Sequence, residues 1–460
     1  MPLRDLFFGS LIFGMIPFIL YAPWLGILGW YWIGLMNPHR LAWGPLETAP
    51  VAMAVALATL AGLLYARDKR LPPSTREVWL LLLLFVHWSV VTFLFAWEPE
   101  QAFTIWDSRM RILLMTFVTL VLIFSRERVT ALLAVITLSI AFYGYKGGPH
   151  SLATGFSGMV LGPKDSFIGG NTDIGLALVM ILPMAFVLAR QVHQGRLALP
   201  VSIPWERLRR PLGLALYAGF WMTAIAIVGT HSRGAWLGLA AVAPFIFWRM
   251  RGKLTLVTLA LLGVGVVGVT LPEPIVHEWE SLVEYQQDDS AQGRFNAWNV
   301  SWNIALENPL TGSGFGTQGL PTPLWLSYYT GDDPHVQRRA VHSIYFQMLG
   351  NHGFLGLGLF LLLIASTLLT LNRLRRQAAQ REETYWISEW SWALGVGIIG
   401  YCIAGAFLSL AYFDLFYAMT ALAVIMRREL DDVLAREQHP AVALGPAGQP
   451  VRRHPSLQLR

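Results

Sequence analysis

Residues 211–249 read PLGLALYAGFWMTAIAIVGTHSRGAWLGLAAVAPFIFWR, and the reading of this stretch decides the fold. Two apolar runs, 211–230 and 234–249, are parted only by His231-Ser232-Arg233. A bilayer crossing needs about 20 mostly apolar residues, so the chain crosses, turns within three residues and crosses back. In hydrocarbon every backbone N–H and C=O must find its partner inside the segment, which makes such runs helices. The expected class is an all-α polytopic membrane protein.

The same pattern recurs outward in both directions. Of the 460 residues, 55% are hydrophobic and 13% charged, a balance that a soluble chain of this length cannot bury. Twelve crossings are expected, at 6–35, 49–66, 77–95, 110–124, 128–145, 171–190, 211–230, 234–249, 253–271, 342–371, 386–410 and 412–426. The first contains Pro17 and Pro23 and reads as one long segment or as two short helices. It lacks an A-x-A site and is too long for a cleaved signal, so it reads as an anchor. Cys402 is the single cysteine, which excludes an internal disulfide and a cysteine-based metal site.

Orientation follows from Lys and Arg. Arg67/Lys69/Arg70, Arg126/Arg128, Arg190 to Arg210, Arg249/Arg251/Lys253, Arg373 to Arg381 and Arg427/Arg428 fall in alternate loops. Placing these inside makes both termini cytoplasmic. One polytopic domain is expected over 1–436, with a large outer loop at 272–341 and a disordered cytoplasmic tail at 437–460. In the loop, Phe295, Trp298, Trp302 and Ala305 recur at helical spacing. They predict an amphipathic helix over 292–307, lying on the membrane or across a cleft. Asn308-Pro309 ends it, and Gly312, Gly314, Gly316 and Gly319 follow as a flexible turn. No P-loop lysine accompanies these glycines, so they are weak evidence for a phosphate cradle.

Nine basic residues remain outside: Arg40, Arg109, Arg111, Lys146, Lys164, Arg233, Arg294, Arg338 and Arg339. Arg40, Arg109 and Arg111 read as loop caps or lipid-phosphate contacts. Arg233 opens a helix whose N-terminus, with its free N–H groups and partial positive charge, points outward. Ser232 suits the N-cap. An arginine there is a poor dipole partner unless an anion joins it, and a phosphate fits that need. The plainer reading is an interfacial arginine that snorkels. Helices starting at Asn171 and His342 point the same way. Asp173 in the first turn of the former reads as a cap or as a contact to an acceptor. His342 sits at a helix N-terminus near arginines, which disfavours imidazolium; it is either a proton acceptor or a structural histidine. Asp288/Asp289 and Asp332/Asp333 are solvated acids or, less simply, Mg²⁺ ligands; no D-x-D, H-E-x-x-H or cysteine pair supports a metal. A G-x-S-x-G hydrolase elbow is missing too.

Taken together, these residues resemble the O-antigen ligase and Wzy-type polymerase superfamily. The points of likeness are His231-Ser232-Arg233-Gly234-Ala235-Trp236-Leu237-Gly238, Gly293-Arg294 with Trp298, Asn308-Pro309-Leu310-Thr311-Gly312-Ser313-Gly314, and His342-Ser343 followed by Gly350-Asn351-His352-Gly353. The N-terminal third, with Tyr143-Gly144-Tyr145-Lys146-Gly147-Gly148, resembles the branch of O-glycosylation ligases associated with exosortase systems. The resemblance implies a GT-C-like fold of about twelve helices in the bacterial inner membrane, with its active site facing the periplasm. It implies transfer of a glycan from a polyprenyl diphosphate carrier to an acceptor hydroxyl on lipid A-core, protein or another glycan. No metal, other cofactor or nucleic acid is implied.

Carried over, Arg233 and Arg294 match the family's diphosphate-binding arginines and His342 its catalytic histidine. Ser232, Lys146 and Lys164 are further donor-side candidates, the two lysines by charge and side alone. Asn171, Asp173, Trp298, Arg338, Arg339 and Tyr345 are candidate acceptor or cleft contacts. The expected chemistry is attack at the anomeric carbon with inversion, His342 acting as base and the arginines stabilising the diphosphate. A Wzy-type polymerase is the rival within the class. A lipid-linked glycan or small-solute transporter is the rival outside it. Transport sites usually lie near the bilayer midplane, whereas the unusual charges here gather at the outer rim.

Overall fold

The computed structural model describes residues 3–201, 204–250 and 289–438. Within them the chain is all α-helical, without a strand. Seven helices are long and apolar enough to cross a membrane. They are α1 (Leu3–Tyr21), α4 (Arg76–Leu94), α6 (Arg126–Ala153), α7 (Asn171–His193), α8 (Trp205–Val228), α12 (Ile344–Ala378) and α13 (Tyr385–Ala404, running on to Phe407). The other expected crossings have other forms. Helices α2 (Trp24–Met36), α3 (Val51–Tyr65) and α9 (Arg233–Arg249) are shorter, while α5 (Pro99–Leu122) and α14 (Asp414–Gln438) carry charged stretches. The expected crossing at 253–271 and the first part of the loop at 272–341 lie outside the described residues. So does the tail beyond Gln438, where α14 ends.

The stretch expected as a first crossing at 6–35 is a helical hairpin. The break falls at Ala22-Pro23, while Pro17 stays inside α1. Direction is fixed by contacts. Asp5 accepts from the Trp43 and Leu46 backbone N–H groups at 3.4 and 3.1 Å, and the Arg4 guanidinium lies 4.1 Å from the Trp43 ring. At the other end of the hairpin, Trp24 faces the guanidinium of Arg128, which pairs with Asp68. The N-terminus therefore shares its end of the molecule with residues 41–46, opposite the Arg128 end. Two termini on one side do not follow from this path; Arg4 lies with Trp43, away from the Arg128 end.

Two helices form the centre. In α7 every side chain from Ile174 to Leu188 is buried, packed by α6, α8, α9 and α13. The segment is apolar all round because it has no solvent or lipid face. Helix α14 is likewise buried from Asp414 to Met426. The outer helices α1, α3 and α4 instead expose large apolar side chains such as Phe7, Leu64 and Trp79, as a lipid-facing surface requires.

Helix α12 is broken near its N-terminal end. Gly353 takes φ 64°, ψ −169°, a conformation open almost only to glycine, and a Cβ there would stand 2.5 Å from the Pro309 carbonyl oxygen. The break exposes carbonyls that a continuous helix would have used. The loop after α10 (Asp289–Glu307) takes them: Ser313 N–H donates to Gly350 and Gly314 N–H to Asn351, each at 3.0 Å, and Leu355 N–H donates to Pro309 at 3.2 Å. Gly312, at φ 59°, packs against the same carbonyl of Gly350. The glycine run expected as a flexible turn is a splint on a broken helix. Helix α10 itself begins at Asp289 and has two packed faces. Ala297, Val300 and Ile304 meet Leu320 and Trp325 of the loop's own small core, the latter on α11 (Thr322–Ser327); Trp298 and Trp302 reach Phe346 and Phe354 of α12, with Phe295 and Trp302 still half exposed and Ala305 buried.

Candidate active site

The site forms where the N-terminal ends of α7 and α9 meet. Ser232 is the N-cap of α9, its hydroxyl accepting from Ala235 N–H at 3.3 Å, and Arg233 is the first helical residue. His231, at φ 52°, turns the chain between α8 and α9 and donates from Nε2 to the Phe156 carbonyl at 2.9 Å. Asn171 opens α7 and donates to the Thr230 carbonyl at 3.0 Å, tying one helix start to the other. Asp173 is occupied within its own turn, accepting from Gly170 N–H at 3.2 Å. Two N-termini thus present backbone N–H groups and dipole ends to one place.

That place is a cavity of about 300 Å³ lined by Asn171, Thr172, Ser232, Arg233 and Arg294, with Ala404, Phe407 and Leu408 from the end of α13 and beyond closing one side. Arg294 arrives from α10, 61 residues along the chain from Arg233. Its placement depends on Trp298, one turn further along the helix. The Trp298 indole donates to the Val341 carbonyl at 2.7 Å and its ring stacks on Phe346 at 4.8 Å, 7° from parallel. This clamps α10 against the extended segment that carries His342.

His342 differs in detail from the expectation. Helix α12 begins at Ile344, so His342 lies two residues before it, in the left-handed region at φ 46°. Its backbone N–H donates to the Ser409 hydroxyl at 2.8 Å. Residues other than glycine rarely hold this conformation, and when they do the site is often functional. Burial, and then the charge of Arg294, push the imidazole below its ordinary pKa, so it is neutral at pH 7. Arg294 is thereby both a wall of the cavity and the charge felt by the histidine.

The remaining candidates lie around this centre. Arg338 donates to the Leu320 carbonyl, and the Arg339 side chain packs on Gly293, beside Arg294; both arginines are largely exposed. The Tyr345 hydroxyl is spent on the Cys402 carbonyl at 2.8 Å. Lys146 and Lys164 are exposed and do not line the cavity; the Lys146 ammonium lies 5.8 Å from the Phe142 ring. No group of three or more metal-ligating side chains occurs among the described residues. Asp333 is engaged by Asn296 at 3.1 Å and by His335 N–H at 2.9 Å. Thr172, Phe407 and Ser409 went unnoticed in the sequence because nothing in their local pattern separates them from ordinary span ends.

Residues 218–361 match the family model described as O-Antigen ligase. Residues 3–193 match the one described as Family of unknown function (DUF5935). No curated protein matches the chain. The first match spans Arg233, Arg294 and His342 together, and with the apolar helices it supports ligase- or polymerase-type glycosyl transfer in a membrane.

Proposed function

We propose that this protein is a membrane glycosyltransferase of the O-antigen ligase kind, moving a glycan from a polyprenyl diphosphate to an acceptor hydroxyl at the periplasmic face. The acceptor is lipid A-core, a protein or another glycan. The observation that carries the reading is the convergence of Arg233, Arg294 and two helix N-termini on one cavity, with a neutral histidine in the field of Arg294.

Each part has a task in such a transfer. The planar forks of Arg233 and Arg294 bind diphosphate oxygens, and the α7 and α9 termini add aligned N–H dipoles. As the bond from the anomeric carbon to the phosphate oxygen breaks, charge grows on the diphosphate, and these fixed donors stabilise it without reorganising. His342 takes the proton of the acceptor hydroxyl, whose oxygen attacks the anomeric carbon from the opposite face, inverting it. General-base help of this sort is worth about 10²–10⁴-fold. The positive charge a metal would bring is already present on the two arginines.

The test is transfer in a purified system with a lipid diphosphate-linked glycan. Arg233→Lys and Arg294→Lys keep the charge and lose the bidentate fork. Both are expected to lose most transfer while remaining inserted and folded. Near-wild-type transfer by both variants refutes diphosphate recognition by these side chains.

A further inference from the structure

Arg109 lies away from the cavity just described, on α5, and its environment is unusual for a cation. Its guanidinium is held between aromatic rings, 4.3 Å from Phe167 and 5.7 Å from Tyr412. Nε and Nη1 are buried with no hydrogen-bond acceptor. The nearby Asp107 is paired with Arg111, and Asp414 contributes only a field from beyond ion-pair distance. A buried guanidinium left in this way is strongly unfavourable unless something supplies the missing acceptors.

Beside it is a cavity of about 50 Å³, lined also by Gln318, Val341, Gln347, Asn351 and Tyr412. That is room for on the order of three to five waters, or for one carboxylate or phosphate group. The lining is selective in sign. The Gln347 side-chain oxygen is taken by Ala411 N–H at 3.0 Å, and the Asn351 oxygen by the Thr317 hydroxyl and N–H at 2.7 and 3.1 Å. Tyr412 accepts from Asn351 at 2.8 Å, which leaves its own O–H to donate. With the Gln347 and Asn351 oxygens engaged, the walls offer the Gln347 amide, the Tyr412 hydroxyl and the Arg109 fork as donors, and Gln318 adds an amide that can donate or accept. Val341, which forms part of the wall, immediately precedes His342.

We propose that this cavity is an oxyanion site that takes a carboxylate or phosphate group carried by a saccharide substrate. The saccharide origin rests on the transfer reading above; the oxyanion chemistry stands on the donors alone. The fork of Arg109 binds the anion and the rings around it exclude water, so an acidic sugar is held within reach of the histidine.

The experiment measures thermal stability of the full chain in a maltoside detergent, at constant ionic strength, against inorganic phosphate, glucuronic acid and glucose. A ligand that binds only the folded state raises the transition temperature as its concentration passes Kd. Phosphate is expected to stabilise the wild type and the double variant Arg233→Gln/Arg294→Gln, in which the other anion site is gone. In Arg109→Gln the half-effect concentration is expected to rise at least about tenfold, the loss of one charge-assisted hydrogen bond. Arg109→Lys, which keeps the buried charge but not the fork, carries the same test if Arg109→Gln does not fold. Glucuronic acid acting beyond glucose through Arg109 identifies a sugar carboxylate; phosphate acting alone identifies a phosphate group. An equal response in wild type and Arg109→Gln, or no response to either anion, overturns the site. Because no transfer is measured, a failed glycosyltransferase reading leaves this result intact and removes only the saccharide origin.

Discussion

The indole of Trp298 is hydrogen-bonded at 2.7 Å to the carbonyl of Val341, so the helix bearing Arg294 is latched to the residue before His342. The latch is not itself part of the proposed chemistry, yet it sets the distance between the charge and the base. Trp298→Ala removes the hydrogen bond and the stack on Phe346, together about 2 kcal/mol, and transfer should fall roughly thirtyfold. Trp298→Phe keeps a stacking ring and should lose about fivefold. Steady-state transfer assays on the two variants check the order; equal activity of both with wild type removes the latch from the mechanism.

A pH dependence follows from His342. The base works when neutral, and its pKa is held down by burial first and by Arg294 second. Activity is therefore expected to fall only as pH drops below about 6.5, the ordinary histidine value. Arg294→Gln removes one depressing charge, so in whatever activity remains the acidic limb should move to higher pH. His342→Gln can still hydrogen-bond but cannot accept the proton, and should show almost no transfer at any pH.

Transfer should persist in excess EDTA. The arginines carry the positive charge at the cavity, and Asp333 is already committed to Asn296 and the His335 backbone. Loss on chelation, restored by Mg²⁺ or Mn²⁺, would turn attention to Asp332 and its neighbours.

The splint on α12 predicts a paired effect. Gly353→Ala places a side chain in a glycine-only conformation and against the Pro309 carbonyl, at a cost of about 1–3 kcal/mol. Gly312→Ala strains the same junction from the loop side. The double variant is expected to lose less stability than the two singles added, since one contact is broken twice. Denaturation midpoints in detergent provide the measurement.

The N-terminal hairpin makes a topological prediction. In a Cys402→Ser background, Leu3→Cys and Thr48→Cys should react with an impermeant thiol reagent from one side of the membrane, and Lys69→Cys from the other. Labelling of positions 3 and 69 from the same side contradicts the hairpin.

Much of the candidate site is legible in the sequence because its signals are local. Ser232 and Arg233 sit at a cap between two apolar runs, and the seven-residue beat of Phe295 and Trp302 marks a helix. What escaped the sequence depends on contacts between distant segments. Nothing in Pro23 says whether a chain kinks or reverses; the Asp5 contact to residues 43 and 46 decides it. The glycines at 312 and 314 read as loose because their partners, the freed carbonyls of α12, are nearly 40 residues away. Arg109 looked like an interfacial cation because burial under Phe167 and Tyr412 leaves no mark on its neighbours in sequence. The apolar residues after His342 put it on a helix end, and only backbone geometry shows that it lies two residues before the helix begins.

The break at Gly353 also bears on how the site meets the bilayer. A straight helix of this length would transmit any tilt directly to its first turn. Here the break at Gly353 is bridged on both sides by one loop: Ser313 and Gly314 N–H bind the Gly350 and Asn351 carbonyls before it, and Leu355 N–H binds the Pro309 carbonyl after it. Held on both sides of the break, the first turns of α12 keep their register with loop residues 309–314, and the segment bearing His342 runs directly into them.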